Sequence, residues 1–299
     1  MKKSLRLVLV MTCLVITNCT FSQPKTEESV NKVSSRTILF IHGAFVNYQC
    51  WDEWKSFFEK NGYTTVVPPW PHKNATAVEL RNRQPDSKVA SIRLQQLVDY
   101  YDSIAKGLPE KPILVGHSIG GLIVQLLLQR DCGAAGVLIH SLPPKGAATN
   151  FTMLRSAKKA LGFFTSTKKS YLMSFKKWQF AYTNGMSLDQ QKVAYEKFAV
   201  PETKLGLRDA IKKVAKINFK KSHAPILFIA GSIDHSTPAS VNKSNFKKYK
   251  KHDVNSVTDL KEFEGRNHFV LGQPSWKEDA SYVLSWLNLR RSENYGATN

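Results

Sequence analysis

The stretch Ile113-Leu114-Val115-Gly116-His117-Ser118-Ile119-Gly120-Gly121 decides the fold. Three apolar residues of strand type run into a glycine, a serine follows two positions on, and residues 118–130 then read as a helix, apolar nearly all round. Gly-x-Ser-x-Gly at a strand-to-helix turn is the pattern of a nucleophile elbow. The turn forces the serine into a strained backbone conformation, and glycines two positions either side remove side chains that would collide there. The helix that starts at the serine points amide N–H groups at the spot where negative charge develops during attack. The five residues alone could be a structural Gly-Ser turn. The buried strand before them and the apolar helix after them favour the elbow.

Outward from this turn the chain keeps one rhythm. Residues 37–41, 64–67, 112–115, 136–140, 225–230 and 257–263 read as short apolar strands, and residues 51–60, 89–107, 118–130 and 275–289 as helices. Strands alternating with helices predict an α/β fold with a mostly parallel, doubly wound sheet of about six strands. Residues 146–222 break the rhythm. They hold no convincing long strand, and they mix lysine pairs with Phe151, Phe163, Phe164, Tyr171, Phe175, Trp178, Phe180 and Tyr182. We read them as a mostly helical cap inserted in a core of residues 37–145 and 223–299; a longer set of crossover helices is the plainer alternative.

The first 22 residues read as a bacterial export signal. Lys2, Lys3 and Arg6 precede an apolar run at residues 7–17, too short to span a bilayer but right for a signal segment. Residues 23–36 then form a polar linker. Two processing sites compete: Thr20-Phe21-Ser22 suits ordinary cleavage to a periplasmic or secreted protein, and Ile16-Thr17-Asn18-Cys19 resembles a lipobox that would make a lipoprotein at Cys19.

The net charge of +20 falls to +17 once residues 1–22 are removed. The basic residues are scattered as lysine pairs without a nucleic-acid motif, so nucleic acid is not expected as a partner, whereas weak association with anionic membranes is. Beyond the signal only Cys50 and Cys132 remain, which is no disulfide framework. No CxxC or HExxH spacing occurs, so neither a metal nor a cofactor is expected.

Four motifs in order, Ile41-His42-Gly43-Ala44-Phe45, Gly116-His117-Ser118-Ile119-Gly120-Gly121, Gly231-Ser232-Ile233-Asp234-His235-Ser236-Thr237-Pro238 and Gly265-Arg266-Asn267-His268-Phe269, resemble the α/β-hydrolase superfamily over residues 37–290. Capped bacterial esterase-like serine hydrolases are the most similar branch. One departure is that the sheet of this family usually begins with an antiparallel hairpin, whereas residues 23–36 read as polar linker, so a reduced sheet of about six parallel strands, or one with a very short extra strand, is expected.

The acid must follow a strand, so that it emerges at the carboxyl edge of the sheet beside the nucleophile. Asp234 does so after residues 225–230. Some family members carry the acid after the preceding strand, but there the chain reads His140-Ser141-Leu142-Pro143-Pro144, without a carboxylate. Of eight histidines, His268 alone follows the last strand and precedes the last helix, which gives the order Ser118, Asp234, His268. The resemblance implies an oxyanion hole made by the backbone amides of Ile119 and Ala44, with Phe45 the alternative to Ala44.

Together these readings predict a serine esterase that cleaves small-molecule ester-like substrates through an acyl-enzyme on Ser118. A same-fold acyltransferase, perhydrolase or carbon–carbon hydrolase would use the same groups. A non-catalytic envelope-binding protein is the rival from another class.

Overall fold

The computed structural model describes residues 32–292. The expected signal segment, Cys19 and the first part of the linker lie outside the described residues. What remains of the linker is not free: Val33 is fully buried, and its amide donates to the Arg290 carbonyl at 3.2 Å.

Six strands form one sheet in the order β2-β1-β3-β4-β5-β6, and every neighbouring pair is parallel. They are β1 Thr37–Ile41, β2 Thr64–Val66, β3 Ile113–His117, β4 Ala135–Ile139, β5 Ile226–Gly231 and β6 Thr258–Phe263. Helices cover both faces, so the inner strands have no wet side. Every residue of β1, β3, β4 and β5 is buried, which is why these strands read as continuous apolar runs rather than alternations. The edges differ: β2 is only three residues long, and β6, Thr-Asp-Leu-Lys-Glu-Phe, keeps its four central residues half-buried. A short edge and a charged edge both discourage pairing with another chain.

The core helices are α1 Asp52–Lys60, α2 Ala77–Asn82, α3 Ser87–Ala90, α4 Leu94–Gly107 and α5 Ile119–Leu128. Four more follow between β4 and β5, α6 Phe151–Leu161, α7 Phe175–Ala181, α8 Leu188–Phe198 and α9 Lys204–Asp209, and then come α10 Ala239–His252 and α11 Trp276–Ser292. All ten residues of α5 are buried beneath the sheet.

The topology creates the crevice. From β1 the chain moves outward to β2, then crosses back to β3 on the other side of β1. The loops leaving β1 and β3 therefore diverge, and ligands of open α/β sheets bind outside the strand ends at such a reversal. Residues 146–222 lie against this end. Val46 bridges Ala199, the Val200 amide donates to the Phe45 carbonyl at 3.0 Å, and the Tyr182 hydroxyl donates to the Ala44 carbonyl at 2.8 Å. Trp178 forms the insertion's own core: it is fully buried, stacked 4.6 Å from Tyr182 and tilted against Phe269 at 5.7 Å.

Candidate active site

Ser118 follows β3 and caps α5 with φ 58° and ψ −121°, a region that L-residues rarely occupy. Close packing holds it there. The Ser118 amide donates to the Ile139 carbonyl at 3.0 Å on the neighbouring strand. The flanking glycines are required by space: a Cβ on Gly116 would strike the Gly120 carbonyl, and one on Gly120 would strike the Ile41 carbonyl. Strained backbone that its surroundings over-determine is typical of functional turns.

The residues read from separate parts of the sequence come together here. His268 Nε2 lies 3.0 Å from Ser118 Oγ, and His268 Nδ1 lies 2.8 Å from Asp234 Oδ2. All three residues are buried, with Ser118 at 5% exposure still reached by a small cavity. The carboxylate accepts from Nδ1–H, so the lone pair on Nε2 faces the serine hydroxyl. That is the tautomer a general base needs.

Asp234 is held on every side. Oδ1 accepts the amides of Ser236 at 2.7 Å and Thr237 at 2.8 Å. Thr237 Oγ1 lies 2.9 Å from Oδ2 and 2.7 Å from the His140 carbonyl. A second imidazole reaches the same oxygen: His140 Nδ1 is 2.8 Å from Oδ2. Burial alone would raise the Asp234 carboxyl. The charge of His268 and the hydrogen bonds from His140 and His268 outweigh it and hold the group well below the usual carboxylate range. Nearby, His117 Nε2 donates to the His268 carbonyl at 2.8 Å, and burial with the adjacent His268 and His140 pushes its pKa well down. His140, Asp234 and His268 also have the spacing of metal ligands, their atoms lying within 4.8 Å of one another. Hydrogen bonding accounts for that spacing, since both Nδ1 atoms sit 2.8 Å from one oxygen.

Among the described residues, the Ala44 and Ile119 amides have no hydrogen-bond partner. The Phe45 amide is already engaged, donating to Glu202 Oε2 at 3.2 Å, which leaves Ala44 as the free donor of that loop. Glu202 is fully buried and pairs with Lys73 Nζ at 2.7 Å. His42 supports the same loop with both nitrogens, Nδ1 donating to the Gly43 carbonyl and Nε2 accepting from the Trp70 amide. His235 turns away from Asp234 and donates to the Phe180 carbonyl at 2.8 Å.

The cavity at Ser118 has a volume of about 70 Å³. Its walls include Leu142, Met153, Ala160, Met173, Tyr182 and Leu207, and no Lys, Arg, Asp or Glu lines it. A second, larger cavity of about 250 Å³ adjoins it, sharing Leu142, Met153, Ala157, Ala160 and Leu207.

Sequence reasoning missed His140, Glu202 and Tyr182. His140 stood where a carboxylate was sought and not found, although a buried polar residue at a strand end near the site was itself a signal. Nothing local connects Glu202 or Tyr182 to the loop at 44–45, which they meet across 157 and 138 residues.

A sequence profile described as "Alpha/beta hydrolase family" matches residues 38–276. No curated protein matches the chain. Among solved structures, the chain is similar to an extracellular α/β-hydrolase from a Paenibacillus species, described as sharing structural and functional homology with tobacco salicylic acid binding protein 2. The identity is 20% and the TM-score 0.63, over 83% of this chain and 98% of that one. A methylesterase from Arabidopsis aligns at 17% identity and TM-score 0.60, over 85% and 99% of the two chains. A monoacylglycerol lipase from Paleococcus ferrophilus aligns at 20% identity and TM-score 0.58, over 85% and 94%. At these identities the likeness is one of fold.

Proposed function

The chain belongs to the α/β-hydrolase family, and from that premise we propose that it is a serine esterase cleaving neutral carboxylic esters through an acyl-enzyme on Ser118. The observation that carries this reading is the continuous chain of contacts from Ser118 Oγ through His268 to Asp234, with the imidazole in the tautomer of a base.

The steps follow from that geometry. His268 Nε2 takes the Ser118 proton as Oγ attacks the ester carbonyl. Asp234 remains ionised and stabilises the imidazolium. The carbonyl oxygen, now negative, accepts from the free amides of Ala44 and Ile119. Collapse breaks the bond to the alcohol oxygen, which leaves with the proton from His268. Water, deprotonated by His268, then attacks the acyl-enzyme, and Ser118 recovers its proton as the acid departs.

The pocket supports neutral substrates. An ionised group brought against its apolar wall would lose its water without gaining a partner. The insertion at 146–222 supplies Met153, Met173, Tyr182 and Leu207 to that wall, which supports its role as a substrate-selecting cap. Export completes the proposal. It rests on residues 1–22, and among the described residues no helix is long and apolar enough to cross a membrane. An N-terminal mass of the mature protein separates cleavage near Ser22 from lipid on Cys19.

The test is pre-steady-state hydrolysis of an aryl acetate. We expect a burst of phenol equal to the enzyme concentration, followed by slower turnover, and no burst from Ser118→Ala. Full activity in Ser118→Ala would refute the assignment.

A further inference from the structure

Ten large apolar side chains are exposed among the described residues, and five of them, Phe151, Leu154, Phe163, Phe164 and Ile211, belong to one region of the insertion. Phe151 and Leu154 stand one turn apart on the outer face of α6, opposite the buried Met153, Ser156 and Ala160. Phe163 and Phe164 follow directly after Gly162, which ends α6 in the left-handed conformation. Arg208 of α9 lies over the Phe163 ring at 5.5 Å and donates to the Leu161 carbonyl at 2.8 Å, drawing the end of α6 against α9. Ile211 lies just beyond α9. Phe151 is 79% exposed and Phe164 fully so, a large hydration cost for one small region. Scattered apolar residues need no explanation, but a cluster on one face marks a surface that meets something apolar.

Asp209 at the end of α9 is buried and paired with Arg93, so the exposed charge around this cluster is basic. Residues 132–188 contain eight Lys or Arg and no Asp or Glu. Lys158 and Lys159 project from α6 itself, and Lys168 and Lys169 follow the phenylalanines. A second copy of the same face would therefore be repelled, whereas an anionic partner would be drawn in.

The cluster is also an entrance. Leu154 and Ile211 are both half-exposed and both line the cavity of about 250 Å³, so that cavity opens on this face. Its walls are almost wholly apolar, and through Met153 and Leu207 it adjoins the pocket at Ser118. An acyl chain entering beside Leu154 would have mostly apolar walls on the way to the serine.

We propose that the α6–α9 face seats on an anionic lipid bilayer, with Phe151, Leu154 and Phe164 in the headgroup–acyl boundary and the lysines on the phosphates, and that the cavity takes the hydrocarbon chain of an ester drawn from that bilayer. Aromatic and leucine side chains beside lysines are the composition of interfacial helices, whose binding adds apolar insertion to electrostatic attraction. Each lysine near an anionic surface adds attraction that salt screens within a Debye length. The choice of substrate rests on the esterase reading. The docking does not, and it is measured without catalysis.

The test is flotation of the purified chain with vesicles of phosphatidylcholine carrying phosphatidylglycerol at roughly one lipid in three. All proteins carry Ser118→Ala, so hydrolysis plays no part. The parent should float with these vesicles and less with phosphatidylcholine alone. The triple variant Phe151→Ser, Leu154→Ser, Phe164→Ser should lose about tenfold or more in partition, with an unchanged melting temperature because the residues are exposed. The control Val78→Ser, Val193→Ser, Val254→Ser removes three other exposed apolar groups and should stay within about twofold of the parent. A parent that does not float overturns the proposal, as does a patch variant that floats as well as the parent or a control that loses as much. With Ser118 restored, unchanged docking but no ester hydrolysis would refute the esterase reading alone.

Discussion

Replacing His140 with phenylalanine tests whether the second imidazole on Asp234 tunes the site. The change removes the Nδ1–H donated to Oδ2 at 2.8 Å. It keeps a ring in a tight place, where a Cβ on Gly231 would already touch the His140 ring. A hydrogen bond to a charged group contributes about 1.5–3 kcal/mol, so its loss should raise the Asp234 carboxyl. That carboxyl starts well below its ordinary range, so it stays ionised at neutral pH, and turnover should fall by no more than about tenfold. The effect on His268 is the informative one. With one donor fewer, Oδ2 turns more of its charge toward the imidazolium, which becomes easier to form. The acidic limb of kcat/KM reports the general base, so this limb should move to higher pH. Other titratable groups face the site: the His117 ring lies 4.8 Å from the His268 ring, Tyr182 is a neutral phenol whose pKa burial pushes well up, and the buried Asp279 lies within reach of the charge on His140. His140→Asn offers an amide donor at the position of Nδ1 and tolerates the positive φ of 48°, so it should restore the limb. An unshifted limb in His140→Phe, or a loss as deep as that of Asp234→Asn, refutes the reasoning.

Three further outcomes follow. Leu207→Ala removes a wall shared by the cavities of about 70 and 250 Å³, so the ratio of kcat/KM for octanoyl over acetyl esters should rise roughly tenfold; an unchanged ratio means the larger cavity takes no acyl chain. Stability should fall as pH drops below the ordinary histidine value of about 6.5. Burial holds His42 and His117 well below that value in the folded state, so between the two pKa values the unfolded chain binds more protons, and each group costs about 1.4 kcal/mol per pH unit, readable as a urea midpoint that falls from pH 7.5 to about 5.5 and would stay flat if both were protonated when folded. Glu202→Gln strands Lys73 in the interior and should destabilise by about 3–5 kcal/mol in urea unfolding, whereas adding Lys73→Met should recover most of the loss.

The six strands were legible because parallel strands buried on both faces spell themselves as apolar runs, and the observed ends lie within two residues of those expected. Helix α10 was not legible. Its buried positions include Asn242 and Asn245 beside Val241 and Tyr249, and five lysines fall among the remaining positions, so no apolar stripe marks it. Helix α2 could have been found, because Thr76 and Glu79 form a capping box that the sequence displays as Thr-x-x-Glu. Ser118, Asp234 and His268, which the structure brings into contact, were legible from motif order, since each follows a strand whose position the fold dictates. The aromatic content of residues 146–222 was less informative. Trp178 is fully buried in the insertion's own packing, and Phe180 faces His235, while Met153 and Leu207 line the pocket. Composition tells that a segment has apolar mass, not which side chains face its core and which face a ligand.

The central claim is that Ser118 is the nucleophile, and covalent labelling with a fluorophosphonate tests it most directly. The probe requires an activated serine and leaves its phosphorus on the attacking oxygen, so peptide mass spectrometry reads the site without knowledge of the substrate. One adduct per chain is expected, on the peptide containing Ser118, with none in Ser118→Ala and strongly slowed labelling in His268→Ala. An adduct on any other serine, or undiminished labelling of Ser118→Ala, would contradict the account.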